Sequence, residues 1–322
     1  MLISAFWLEE LFYTCISPLL LCRRRRQTPS LSTSALSDKE ILELVDTSPK
    51  IDENTYYTEL NRLNCGHVSK IGPDAVAKFT TTQGHLERHT TNLVRSTTFI
   101  PVPFCERVVC VSLGSLLVLE YIPGRVVHDI WHELGWWTRF RISLTLRYYI
   151  YQLRSIRNLI GPPAFPGPHS FENIPQRCNG RLFTSEGSGP FISYREMARW
   201  YQNRLLVMQK FRKEGLGCAP FDDTGRLVFT HMDLHLRNLI LGDDGQLWVI
   251  DWEMAGWYPP WFEAASMKLF AKTHPDTSSS WESQIPFIAG SCEGPGQLPF
   301  IRAIAYSLEV LRADTVNLID PH

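Results

Sequence analysis

The chain has 322 residues, 44% hydrophobic and 20% charged, which suits one large folded unit or two modest ones and excludes disordered, collagen-like and polytopic membrane classes. Thirty-two Lys plus Arg against 33 Asp plus Glu leave a formal net charge of −1, so the cationic excess of a general nucleic-acid binder is missing. Eight cysteines with no C-x-x-C spacing give no disulfide or zinc framework and read as reduced thiols of an intracellular, cytoplasmic protein.

Residues 1–22 are mostly apolar and run into Arg23–Arg26. Glu9 and Glu10 interrupt the stretch, and a charge at a bilayer centre costs ~2.5–3.5 kcal/mol. The uninterrupted run, residues 11–22, falls short of the about 20 residues a spanning helix needs. A loosely packed extension is the first reading, and a membrane contact through residues 1–26 the second. A Ser/Thr/Pro-rich linker follows, so residues 1–36 stand apart from the fold.

Ser37 and Glu40 form a capping box that opens a short helix, with Leu42, Leu44 and Val45 on its apolar side and Thr47-Ser48-Pro49 at its end. Residues 55–122 read as short strands with one helix. Val76-Ala77-Lys78-Phe79 is β-prone and follows the turn Gly72-Pro73-Asp74. Residues 84–93 form the helix, and residues 116–122 an apolar strand stopped by Pro123-Gly124.

From about residue 125 the pattern is helical. Ile142, Leu146, Tyr149, Ile150, Leu153 and Ile156 lie on one face of a 3.6-residue period. Trp131, Trp136 and Trp137 read first as core and second as lining of a ligand pocket. The Gly- and Pro-rich residues 161–190 read as loop. Ser193 with Glu196 opens another helix, running to about Arg212. Residues 238–241 and 246–250 are strands of a hairpin turned by Gly242-Asp243-Asp244-Gly245. A strand-rich part thus precedes a helix-rich one, with a joint near residues 121–125.

The sharpest motif is His231-Met232-Asp233-Leu234-His235-Leu236-Arg237-Asn238, followed by Val249-Ile250-Asp251-Trp252-Glu253 at a strand end. Asp233 and Asn238 share one tight loop, and the hairpin folds Asp251 back beside them. One carboxylate can take a proton from an attacking hydroxyl. The amide oxygen and the other carboxylate can hold Mg²⁺, a hard cation that prefers oxygen ligands and substrate phosphates. Base, metal and positioning are what phosphoryl transfer requires.

H-x-D-x-x-x-x-N followed by I-D-W resembles the catalytic core of the aminoglycoside phosphotransferase and choline kinase branch of the protein-kinase-like fold, in the pattern of its fungal-type members. The resemblance covers most of residues 50–320. It implies an α+β, bilobal protein-kinase-like fold: a small antiparallel-sheet N-lobe over residues 37–122 and a larger, mainly helical C-lobe over residues 123–322. It implies an ATP-dependent, Mg²⁺-dependent phosphotransferase acting on a small-molecule hydroxyl. Asp233 would be the catalytic base, with His231 beside it as the buttress of the catalytic loop, and Asn238 and Asp251 the metal ligands. Lys78 would grip the α- and β-phosphates, with Glu87 orienting it. Glu120 and Ile122, in Leu119-Glu120-Tyr121-Ile122-Pro123-Gly124, would lie in the hinge strand where adenine docks. Trp252 and Glu253 replace the Phe and Gly of protein kinases, which favours a small-molecule acceptor.

One departure stands out: Asn64-Cys65-Gly66-His67-Val68-Ser69-Lys70 has a single glycine where protein kinases have three. A catalytically weak or inactive nucleotide-binding pseudokinase is therefore the alternative. A zinc hydrolase built on His231 and His235 lacks further His or Cys ligands nearby. Residues 251–322 hold nine acidic and four basic side chains, which reads first as a solvated face and second as the rim of a site for a cationic acceptor.

Overall fold

The computed structural model describes residues 13, 15–22, 28–49, 51, 68–80, 84–112, 114–170, 172–274, 279–290 and 296–310. Residues 1–12 and 23–27 of the N-terminal extension, and residues 64–67 of the glycine-poor loop, lie outside them.

The capping box at Ser37 forms as read: Glu40 N donates to Ser37 Oγ, and Glu40 Oε2 accepts from Ser37 N. It opens helix α1, Asp38–Thr47, whose Ile41 is fully buried. Four antiparallel strands follow, β1 (Val68–Lys70), β2 (Ala75–Thr80), β3 (Cys105–Val111) and β4 (Gly114–Glu120), in the order β1-β2-β4-β3. Strand alternation splits the sheet into two faces. Ala75 and Ala77 of β2 with Leu116 and Val118 of β4 pack against Ile41 and Leu31. Lys78 therefore points to the opposite face, where helix α2, Gly84–Thr97, lies. That helix starts so close to the sheet that a Cβ on Gly84 would come within 2.9 Å of Ser115 and 3.0 Å of Leu117, so glycine is required there.

Beyond β4 the chain turns through Pro123 into β5 (Gly124–Val126), which pairs with β8 (Leu239–Gly242), itself paired with β9 (Leu247–Val249). A Cβ on Gly124 would meet Leu241 O at 2.5 Å, so this joint also needs glycine. A third small sheet orders β6 (Gly167–Pro168), β10 (Gly256–Tyr258) and β7 (Val228–Thr230) as β6-β10-β7. The helices of this half are α3 (Trp136–Ile160), α4 (Tyr194–Phe211), α5 (Phe262–Thr273), α6 (Ile285–Ala289) and α7 (Gln297–Val310), with single turns at Val127–Ile130 and Ser279–Glu282.

The six apolar residues that the period places on one face of α3 are all buried in the largest core. That core also takes Val94 from α2, so the helix bearing Glu87 is anchored in both halves of the molecule. Ser193 caps α4, accepting from Glu196 N, but the Glu196 carboxylate reaches Ile192 N instead of closing the box on Ser193. Trp131 is core, edge-on to Trp281 at 5.7 Å. Trp136 is 77% exposed and Trp137 45%, so the core reading fails for these two.

The N-terminal segment differs from a loosely packed extension where it is described. Leu247 N donates to Leu21 O at 2.7 Å and Leu21 N to Thr145 Oγ1 at 3.0 Å. Tyr13 lies against Tyr148 and Tyr151 at 4.7 and 4.9 Å between ring centres. The backbone of this apolar segment is satisfied by β9 and α3, which lets Leu20 and Leu21 be buried. Among the described residues no helix is long and apolar enough to cross a membrane.

Ile142 is wholly enclosed at the centre of α3. Ile142→Ala is expected to cost about 2–5 kcal/mol of stability, read as a lower midpoint of guanidinium unfolding with an unchanged slope.

Candidate active site

The motif from His231 to Asn238 leaves β7 after Thr230 and ends in the 3-10 turn Leu236–Asn238. Its second residue, Met232, sits at φ 71, a left-handed conformation that costs a non-glycine residue about 1–3 kcal/mol. The first turn of α5 holds it there. Glu263 accepts from His231 N at 2.6 Å and from Met232 N at 3.2 Å, and Ser266 Oγ donates to Met232 O. Met232 itself is buried among the aromatic side chains of the α4–α5–α7 core. Glu263 was not legible as a functional residue. Its one sequence signal is a lone charge in the otherwise apolar Pro260-Trp261-Phe262-Glu263-Ala264-Ala265. Burial pushes its carboxyl up to about 7, against the two backbone donors and Arg154.

His231 is fully enclosed. Its Nδ1 accepts from Asp233 N at 3.3 Å, so the ring proton lies on Nε2 and goes to Ile250 O at 3.1 Å. Burial lowers its pKa to about 4, which keeps it neutral. The ring is enclosed on all sides and its two nitrogens are spent on backbone. It ties the loop to the strand that ends at Asp251, and Ile250 N donates to Asn238 O at 3.0 Å as a second stitch.

Asp233 spends one oxygen on the loop. Its Oδ2 accepts from Asn238 Nδ2 at 3.0 Å and lies 3.3 Å from His235 Nε2. His235 Nδ1 accepts from Arg237 N, so Nε2 is the protonated nitrogen and donates to Asp233. The other oxygen, Oδ1, is 3.7 Å from Arg181 Nε. Burial opposes ionisation of Asp233, but the His235 hydrogen bond and the Arg181 charge outweigh it and hold the carboxyl down to about 2. It is thus an ionised acceptor of protons at neutral pH.

A second cluster forms where the two halves meet. Lys78 Nζ donates to both carboxylate oxygens of Glu87 at 2.9 Å and to Asp251 Oδ1 at 2.8 Å, and lies 3.7 Å from Glu253. Burial works against the ammonium, but the three carboxylates prevail and raise the Lys78 pKa well above its ordinary value. Asp251, two residues past the end of β9, is held at φ 63, while the next residue, Trp252, is buried edge-on to His231 at 4.5 Å. Glu87, Asp251 and Glu253 each bring an oxygen within 4.8 Å of the others. One ammonium among three carboxylates leaves an uncompensated charge of −2 if all are ionised, and the donors are all hard oxygens. Asn238 spends its Nδ2 on Asp233, and its Oδ1 meets no protein donor among the described residues. The donor set fits a divalent cation such as Mg²⁺.

At the end of β4, the Glu120 side chain accepts from Phe104 N at 3.1 Å, and Glu120 N donates to Phe104 O at 2.8 Å. Glu120 is thus tied to the neighbouring strand. Ile122 N, two residues on, makes no hydrogen bond among the described residues.

The sequence-derived residues therefore gather as Lys78, Glu87 and Asp251 in one cluster and Asp233 and Asn238 in the next, joined through Ile250. Arg181, Glu263 and Phe270 join them unannounced, and Glu253, read in sequence only as a departure from protein kinases, joins the Lys78 cluster. Five of the nine acidic residues from position 251 onward are described, and Asp251, Glu253 and Glu263 among them belong to these clusters and not to a rim.

A family model described as the Phosphotransferase enzyme family matches residues 81–280, and the chain belongs to that family. It is a kinase-like phosphotransferase, and the two halves around the Lys78 cluster form the bilobal α+β protein-kinase-like fold. Among solved structures it is similar to spectinomycin phosphotransferase APH(9)-Ia in complex with ADP and spectinomycin, at 11% identity over 82% of this chain and 83% of that one, TM-score 0.48. It is also similar to aminoglycoside phosphotransferase APH(3'')-Id from Streptomyces rimosus in complex with ADP and streptomycin, at 16% identity over 79% and 98%, TM-score 0.42. Choline kinase LicA from Streptococcus pneumoniae is similar at 14% identity over 93% and 88%, TM-score 0.39. No match was found among curated protein sequences.

Glu263 makes a testable pH signature. Between its ordinary value of 4.5 and about 7, the folded protein holds a proton there that the unfolded chain has released. Its contribution is therefore full below pH 4.5 and is lost as pH rises through 7, with a slope of at most ~1.4 kcal/mol per pH unit. Burial raises Glu87 over the same window, so chemical denaturation is expected to show a pH slope in both proteins and a shallower one in Glu263→Gln than in the wild type. Glu263→Ala, which strips two backbone donors of their acceptor, is expected to cost about 1–3 kcal/mol at every pH.

Proposed function

We propose that this chain transfers the γ-phosphate of ATP to a hydroxyl of a small molecule in a Mg²⁺-dependent reaction. The observation that carries the reading is the Lys78 Nζ contact with both Glu87 and Asp251, residues 9 and 173 positions away in sequence. A buried ammonium is expensive to desolvate, and its three carboxylate neighbours would be redundant in a merely structural role. In this reading Lys78, oriented by Glu87, holds the α- and β-phosphates. The N–H of Ile122 receives the adenine at the end of β4, and Glu120 keeps that strand in place.

Asp251, with the Oδ1 of Asn238, would hold Mg²⁺, which supplies charge neutralisation on the phosphates. Asp233, ionised and with Oδ1 uncommitted to the loop, takes the acceptor proton. His231 positions the loop without touching the reactants. Most of the acceleration then comes from alignment and fixed charges in a partly enclosed site. Residues 37–122 serve as the nucleotide-holding part and residues 123–322 as the part that binds metal and acceptor.

Asp233→Asn is expected to lower turnover by about 10²–10⁴-fold while Mg·ATP still binds. Asp251→Asn is expected to abolish Mg²⁺-dependent nucleotide binding. Calorimetry with Mg·ATP, alongside phosphate release, reads both. Wild-type protein that binds no Mg·ATP defeats the proposal, and wild-type binding without turnover on water or any hydroxyl acceptor marks an inactive nucleotide-binding module instead.

A further inference from the structure

We propose that Arg181 is a further catalytic residue, whose Nε–H donates to the acceptor hydroxyl oxygen while that hydroxyl donates to Asp233 Oδ1. The inference rests on the phosphotransfer reading and deepens it. Three observations support it. The Asp233 Oδ2 is occupied by Asn238 and His235, so Oδ1 is the oxygen left for an acceptor. Arg181 Nε lies 3.7 Å from Oδ1, too far for a hydrogen bond of its own. That separation admits an oxygen about 2.8 Å from both. Arg181 Nε is buried and has no hydrogen-bond partner among the described residues, although the side chain as a whole is 28% exposed. A buried donor without an acceptor is costly, and a bound oxygen would relieve it.

The position is built and not a chance excursion of a loop. The guanidinium sits 4.5 Å from the centre of the Phe270 ring. Phe270 is itself stacked on His235 at 3.7 Å and on His274 at 4.0 Å. The preceding Gly180 adopts φ 110, and its backbone lies so close to Met254 that a Cβ would come within 3.0 Å of the sulfur. The segment is closed by two backbone hydrogen bonds between Cys178 and Ser188, each 2.8 Å.

In the step, the acceptor O–H bond breaks and its proton goes to Asp233 Oδ1. The oxygen forms its bond to the γ-phosphorus. The bond from that phosphorus to the β,γ-bridging oxygen breaks, and its electron pair leaves on ADP. Arg181 gives up no proton, since a guanidinium stays charged throughout. It fixes one lone pair of the attacking oxygen and so leaves another aimed at phosphorus. A permanent cation at this point also disfavours an ammonium group beside the reacting hydroxyl. The acceptor class is therefore a neutral or anionic hydroxyl compound, in place of the cationic amine that the acidic count of the C-terminal region suggested.

The test uses the full chain as wild type, Arg181→Met and Arg181→Lys. Mg·ATP is supplied with water alone, then with glycerol, glycerate or choline, and product is read by phosphate release and by mass. Arg181→Met is expected to lose about 10²-fold or more in turnover with unchanged Mg·ATP affinity, and Arg181→Lys to recover part of it. The acid limb of the pH–rate profile is expected to move to higher pH in Arg181→Met, because the cation beside Asp233 Oδ1 is lost, and partial rescue by Arg181→Lys is the readout that a merely structural arginine would not give. Glycerol or glycerate should be preferred to choline. Wild-type rate and pH profile in Arg181→Met overturn the role, and so does an Arg181→Met loss of turnover that Arg181→Lys leaves wholly unrescued with the acid limb unmoved. A wild type that prefers choline overturns the acceptor class. A wild type that fails to bind Mg·ATP, or binds it without any transfer, defeats the phosphotransfer reading before the variants are compared.

Discussion

The Lys78 ammonium is the point on which the arrangement of the site depends. It draws together a strand of the small sheet, the helix α2 packed on that sheet, and the residue at which β9 leaves the other half of the molecule. Removing an ammonium and carboxylates from water costs several kcal/mol per ion, and the mutual attraction of such groups seldom returns more than that. The cluster is therefore weak as a stabiliser and strong as a constraint. It fixes where α2 can lie, and Val94 of the same helix is fastened into the large core to match. It also leaves negative charge in excess, which a cation and the phosphates it accompanies would balance.

A second constraint shapes the catalytic loop. Met232 and Asp251 both hold left-handed backbone that their side chains disfavour. Each lies one or two residues from a carboxylate that must be aimed, or carries that carboxylate itself. The strain is offset by partners from elsewhere: Glu263 and Ser266 on α5 for Met232, and the buried Trp252 next to Asp251. Two buried carboxylates thus stand close along the loop with opposite tendencies. Burial raises Glu263, while a hydrogen bond and the Arg181 cation outweigh burial at Asp233. One is suited to holding backbone, the other to receiving a proton.

The charges divide by side. Acidic groups crowd Lys78, whereas Asp233 is flanked by the Arg181 cation and the His235 N–H donor. In the proposed reaction the first set suits metal-bound phosphates and the second an electron-rich hydroxyl. The segment that brings Arg181 is rich in Gly and Pro and poor in regular structure, so in sequence it reads only as a connection between α3 and α4. Its part in the site follows from the close passage of Gly180 over Met254, which is a property of the packed chain.

Local rules reached far into this protein. The Ser37 box, the buried stripe of α3, the strand before Lys78 and the hairpin ending at Asp251 all follow from spacing, capping and turn residues, because each depends on neighbours within a few positions. The loop motif from His231 to Asn238 was legible for the same reason, and the phosphotransferase family with it. Tertiary structure alone decided what has no local cause. It seated residues 15–22 on α3 and β9, left Trp136 and Trp137 outside the core, assigned Glu263 to the backbone of the catalytic loop and set Arg181 against Asp233. Apart from the two exposed tryptophans, each of those outcomes is a contact between residues tens of positions apart, whose chemistry is ordinary in sequence and acquires its meaning only when packing removes water and limits which partners remain.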